Sequence, residues 1–127
     1  MKRFFFFSFL IIGFYQLISC APTQPQDDII CSTIYKSIDV GINGQQLDRY
    51  YTIRISDGDT LKYEDPNESD SFYPVITDAY HSNLVNKKDS FHFVGFSNGS
   101  IIVEQAYIIG GDECHIYLHK GPETIDL

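Results

Sequence analysis

The sequence predicts an all-β fold, with about seven antiparallel strands arranged as a two-sheet sandwich. Three observations point that way. From Ile29 onward apolar residues recur at every second position, the period of a strand with one buried face. Turn-forming pairs, among them Asn43-Gly44, Asp57-Gly58, Asn98-Gly99, Gly110-Gly111 and Gly121-Pro122, cut that pattern into short runs. No run shows the apolar spacing of a long amphipathic helix. A chain of 127 residues has room for one such domain.

The first segment belongs to targeting rather than to the fold. Lys2 and Arg3 precede an almost wholly apolar run from Phe4 to Ile18 that holds six of the ten phenylalanines. A basic start and an apolar core of this length make a secretory signal peptide, short of the roughly 20 apolar residues that a membrane-spanning helix needs. Leu17-Ile18-Ser19-Cys20 closes the segment and resembles the lipobox of bacterial lipoproteins: an aliphatic residue, a variable one, a small one, then cysteine. The resemblance implies that residues 1–19 are removed, that Cys20 carries a thioether-linked diacylglyceryl group, and that Cys20 is the mature N-terminus. Each buried methylene contributes about 0.8 kcal/mol, and two or more acyl chains anchor stably. Residues 20–28, with two prolines and no apolar periodicity, form a short lipidated tether, and residues 29–127 form the domain.

Charge narrows the partners. Loss of Lys2 and Arg3 takes the formal charge from −8 for the whole chain to −10 for the mature one. The one basic pair left is Lys87-Lys88, too little to hold a phosphate backbone, so nucleic acid is excluded as a partner. Anionic lipid headgroups would repel such a domain, which leaves the lipid on Cys20 as the membrane contact. The expected place is the cell membrane or the outer membrane, facing periplasm or exterior. With Cys20 lipidated, Cys31 and Cys114 remain as an even pair in an exported chain, and the expected state is a disulfide.

The strands follow in order. Residues 32 to 42 place Ile34, Ile38, Val40 and Ile42 on one face, and Asn43-Gly44 suits a hairpin turn. Tyr51, Ile53 and Ile55 alternate with Tyr50, Thr52 and Arg54, and Asp57-Gly58-Asp59 turns the chain into a short continuation at residues 60–63. Residues 72–76 form a further strand that Pro74, lacking an N–H, pushes to an edge or a bulge. Residues 78–88 read equally as a loop or as one helical turn capped by Asp78. Residues 90–96 and 101–109 flank Asn98-Gly99 as a hairpin. After Gly110-Gly111-Asp112, residues 114–120 put Ile116 and Leu118 on one face and His115, Tyr117 and His119 on the other, before a last short strand at residues 124–127.

The first strand, its glycine turn and the tyrosine-rich second strand (Ile38-Asp39-Val40-Gly41-Ile42-Asn43-Gly44, then Tyr50-Tyr51-Thr52-Ile53-Arg54) resemble the carboxypeptidase-regulatory-like and transthyretin-like sandwiches of exported bacterial proteins. Asp112-Glu113-Cys114-His115, with the closing residues 121–127, is similar to small lipoproteins of Bacteroidetes type. These resemblances imply an immunoglobulin- or transthyretin-like fold and an envelope location, and they carry over no site residues.

Several groups have chemical potential. Asp57, Asp59, Asp65, Asn67 and Asp70 place oxygen ligands in two nearby loops, as calcium requires, but without EF-hand spacing, and a solvated hairpin loop is the default reading of such charges, so no metal is expected. His115 and His119 stand at i and i+4 on a strand, about 13 Å apart, too far to share one ion unless the fold brings in His81 or His92. A serine hydrolase would need a nucleophile elbow, and no Gly-x-Ser-x-Gly is present. Eight tyrosines in the mature chain offer either a binding patch or ordinary sheet packing. The sequence therefore predicts a non-enzymatic, cofactor-free, membrane-anchored binding or structural module whose partner is an envelope protein or glycan. Two alternatives stand beside it: a small metal-dependent hydrolase using His115, His119 and nearby carboxylates, and an assembly subunit or inhibitor that pairs through a sheet edge near Pro74.

Overall fold

Alternation in the sequence becomes burial in the structure, a computed structural model that describes residues 28–62 and 71–127. The expected signal segment 1–19, Cys20, the part of the expected tether up to residue 27, and Asp65, Asn67 and Asp70 lie outside the described residues. The strands are Ser37–Asn43 (β1), Arg49–Arg54 (β2), Thr60–Leu61 (β3), Phe72–Thr77 (β4), Lys87–Ser97 (β5), Ser100–Gly111 (β6), Ile116–Lys120 (β7) and Thr124–Asp126 (β8). They form a three-stranded sheet in the order β4-β1-β8 and a five-stranded sheet in the order β3-β2-β5-β6-β7. The fold is the all-β two-sheet sandwich that the periodicity predicts.

Each sheet turns one parity inward. Val40 and Ile42 of β1 and Tyr73 and Val75 of β4 meet Tyr50, Phe91, Phe93, Tyr107 and Ile109 of the larger sheet, and all of them are buried. Burying a Phe or Ile fully contributes about 1.5–3 kcal/mol, so this layer dominates stability. The Tyr50 ring meets Tyr73 edge-on at 5.2 Å and joins the two sheets. Burial pushes the Tyr107 hydroxyl up to about 12, and it donates to the Pro122 carbonyl at 3.0 Å. The following loop lies so close that a Cβ on Gly121, which sits at φ +140°, would meet the Tyr107 ring at 2.2 Å.

Three expectations are corrected. Asn43-Gly44 makes no hairpin: β1 and β2 belong to different sheets, and the pair carries the chain across the sandwich. The real Asn-Gly hairpin joins β5 to β6, with Asn98 and Gly99 both at positive φ (51° and 77°). The pairing is not wholly antiparallel, because β8 runs parallel to β1, with Ile42 opposite Ile125. Finally, Asp78 does not cap the short 3-10 turn at Asp78–Asn83; Thr77 holds the cap position, and the Asp78 carboxylate is used elsewhere. Pro74 behaves as predicted: β4 is an edge strand, and the register slips where Asp39 pairs with Pro74.

Candidate functional site

The arm of residues 28–36 has no strand pairing, and Ile29, Ile30, Ile34 and Tyr35 on it are exposed. Two devices hold it against the end of the sandwich. A disulfide joins Cys31 to Cys114 in the β6–β7 turn, with Cα atoms 5.2 Å apart. Asp78, where the chain leaves β4, accepts the Lys36 N–H at 2.8 Å, and its own N–H donates to the Lys36 carbonyl at 2.9 Å. Tyr35 adds a donated bond to Thr77 Oγ1 at 2.8 Å.

This corner assembles a three-residue relay. The Asp78 side chain is 9% exposed; Oδ1 accepts the Ile116 N–H at 3.0 Å, and Oδ2 lies 2.7 Å from His115 Nδ1. Burial alone would raise the Asp78 carboxyl, but the N–H groups of Ile116 and Lys36, and then His115, outweigh it and hold it below the ordinary aspartate value. An ionised carboxylate only accepts, so His115 Nδ1 carries a hydrogen. In the neutral imidazole Nε2 is then the acceptor, and it lies 2.9 Å from Ser32 Oγ, whose hydroxyl donates to it.

The turn that presents His115 is shaped by Asp112. Its Oδ1 accepts the Cys114 and His115 N–H groups at 2.7 and 2.8 Å, which hold the carboxyl below its usual value. His81 Nε2 donates to the Asp112 carbonyl at 2.8 Å.

A second feature lies on the outer face of the five-stranded sheet. Between the inward-facing residues of β5 and β6, His92 pairs with Ala106 and Ser90 with Ile108, all turned outward. With Ile55, Lys120 and Pro122 they line a depression of about 750 Å³, within the range of small-molecule and side-chain sites. Farther along the face Val94 and Phe96 are buried outside the main core, with the Arg49 guanidinium 4.1 Å above the Phe96 ring. Beside the depression, β6 has β5 on one side, while β7 pairs only with residues 108–111. Residues 101–107 of β6 therefore have no strand on that edge among the described residues, where the Ala106 carbonyl accepts Gln105 Nε2 at 3.0 Å.

The predicted site residues are distributed as follows. Cys31 and Cys114 are bonded to each other. His115 is held by Asp78 and Ser32, whereas His119 lies 3.4 Å from Lys88 Nζ on the outer face, so the two histidines do not act together. Asp57 is occupied by Arg54 Nη1 at 2.9 Å and by the Asp59 N–H at 3.0 Å, and Asp59 accepts the Tyr80 hydroxyl. No group of three or more His, Cys, Asp or Glu able to hold a metal ion occurs among the described residues. Of the tyrosines, 50, 73 and 107 are core residues rather than a patch, while 35 and 117 are exposed.

Ser32 is the residue that sequence reasoning missed. A signal for it was present: once Cys31 bonds to Cys114, the residues that follow them, Ser32 and His115, must lie side by side. The chain matches no protein-family model, no curated protein and no solved structure.

Proposed function

We propose that this chain is a lipid-anchored module of a bacterial cell envelope that binds an extended segment of another envelope protein on the outer face of its five-stranded sheet. The observation that carries the binding role is the apolar depression lying beside the edge of β6 that pairs with no strand among the described residues. A partner strand added to residues 101–107 would satisfy that edge and drop alternate side chains into the depression. Sugar stacking fits less well, since the two aromatic residues of the lining, Phe91 and Tyr107, are 0% and 1% exposed and keep their rings in the core. The Cys31–Cys114 bond supports an oxidising compartment, and the lipobox supports attachment through Cys20.

A photo-crosslinking residue placed at Ala106 in cells, with Lys62 as the control position, tests the binding role. A discrete protein adduct from position 106 and none from 62 is expected. No adduct at 106, the same ladder at both positions, or a glycan adduct would overturn this choice of partner. Intact mass of the membrane-extracted protein tests the anchor: it should begin at Cys20 and carry acyl groups.

A further inference from the structure

We propose that Ser32, His115 and Asp78 form a nucleophilic relay that hydrolyses uncharged carboxylic esters at the end of the sandwich. This goes beyond the binding role and uses none of its residues.

Serine is a weak nucleophile at neutral pH and needs an adjacent base, itself oriented by a third group. Both contacts are in place: Oγ to Nε2 at 2.9 Å and Nδ1 to Oδ2 at 2.7 Å, inside the 2.6–3.2 Å reach of proton transfer. Two backbone N–H groups hold the carboxylate while the Ser32 end opens to solvent. The disulfide sets the geometry, because Cys31 immediately precedes the nucleophile and Cys114 immediately precedes the base. The bridge thus fixes the arm at the one place where a shift would part Oγ from Nε2.

In the reaction Oγ bonds to the ester carbonyl carbon, its proton passes to Nε2, and the carbonyl π electrons move onto oxygen. The tetrahedral adduct collapses, the C–O bond to the alcohol breaks, and the alcohol leaves with the proton from Nε2. Water then attacks the acyl-serine, giving its proton to Nε2, and Oγ departs with that proton; ester and water become acid and alcohol. Asp78 stays ionised throughout and acts as a positioning residue. The amides of Ser32 and Thr33 have no backbone partner among the described residues and are adjacent in sequence to the nucleophile, which leaves them free to donate to the oxyanion. Substrate class follows from the surroundings: Ile30 and Ile34 flank Ser32 and are 92% and 70% exposed, while Asp112 and Glu113 stand beside the base. An apolar acyl group is favoured there and an anionic substrate is repelled.

The test is to treat the full-length, membrane-extracted protein with a fluorophosphonate and locate the adduct by peptide mass spectrometry, alongside turnover of p-nitrophenyl butyrate. The expected result is an adduct on Ser32 that is absent from Ser32→Ala and lost on reduction of the disulfide. In Asp78→Asn, kcat should fall at least about tenfold with KM little changed, as for a group acting only in the transition state. Ser32→Ala alters only an exposed side chain, so its reading does not depend on folding. No adduct on Ser32 in the oxidised wild type, or equal butyrate turnover by wild type and Ser32→Ala, would overturn the proposal. So would undiminished labelling in a folded His115→Gln variant.

Discussion

Two corners of this molecule hold a nearly buried carboxylate with different partners. Asp89, on β5, has a side chain 15% exposed, accepts the Ser56 hydroxyl and Arg54 Nε at 2.6 Å each, and takes the Ser90 N–H at 2.8 Å. Burial would raise this carboxyl, but Ser56 and Arg54 bring it below its usual value, as happens at Asp78. The likeness ends at the partner. Arg54 cannot release a proton, and its other bond goes to Asp57, so that network is a brace between β2 and β5. His115 instead hands the connection on from Asp78 to the Ser32 hydroxyl, which faces solvent. A nearly buried carboxylate is a structural tie or a chemical positioner according to the side chain it faces.

The comparison can be broken at either corner. The largest effect should come from replacing Cys31 and Cys114 together with serine: the 83-residue separation gives up to about 4.5 kcal/mol by loop entropy. Urea unfolding measures the loss, and hydrogen exchange should show the arm at 28–36 opening while β2 and β5 stay protected. Next, Arg54→Leu leaves Asp89 without its cation and should cost about 2–3 kcal/mol, with the reactivity of Ser32 unchanged. Asp78→Asn keeps one acceptor oxygen for the backbone and should cost less, about 1–2 kcal/mol.

Acid should weaken both corners. The two carboxyls titrate lower in the folded chain than in the unfolded one, so their stabilisation is complete above about pH 4, the unfolded value, and is lost as pH falls through the lower folded values. Urea midpoints between pH 6 and pH 2 should fall on the acid side, and Asp78→Asn should flatten part of that slope. The smallest effect belongs to Ser32→Ala, expected within about 0.5 kcal/mol of wild type because the residue is exposed. A larger loss would make the Ser32 bond a brace like that at Asp89.

Much of the fold was legible because strand parity is a local property. Val40 and Ile42 face the core as their spacing requires, and Pro74 sits at the edge where a missing N–H is tolerated. What failed depended on long-range pairing. Asn43-Gly44 and Asn98-Gly99 are the same dipeptide, yet only the second is followed by a strand that pairs with its predecessor. The parallel partner of β1 comes from the last residues of the chain, which no local pattern announces. The candidate site is nonlocal in the same way: Ser32 lies in an irregular arm, and Asp78 and His115 are 37 positions apart. Strand spacing groups His115 with His119, but β7 begins only at Ile116, and its register against β6 shifts between Ile108 and Ile109.

The disulfide also decides how the molecule carries load. When the ends are pulled apart, tension entering on the N-terminal side of Cys31 passes straight to Cys114 and bypasses β1 through β6. Only the residues after 114 can then be drawn out, about 40 Å of extended chain. Reduction would put the whole sandwich back in the line of force, so in a force spectrometer the oxidised and reduced proteins should differ in extensible length severalfold.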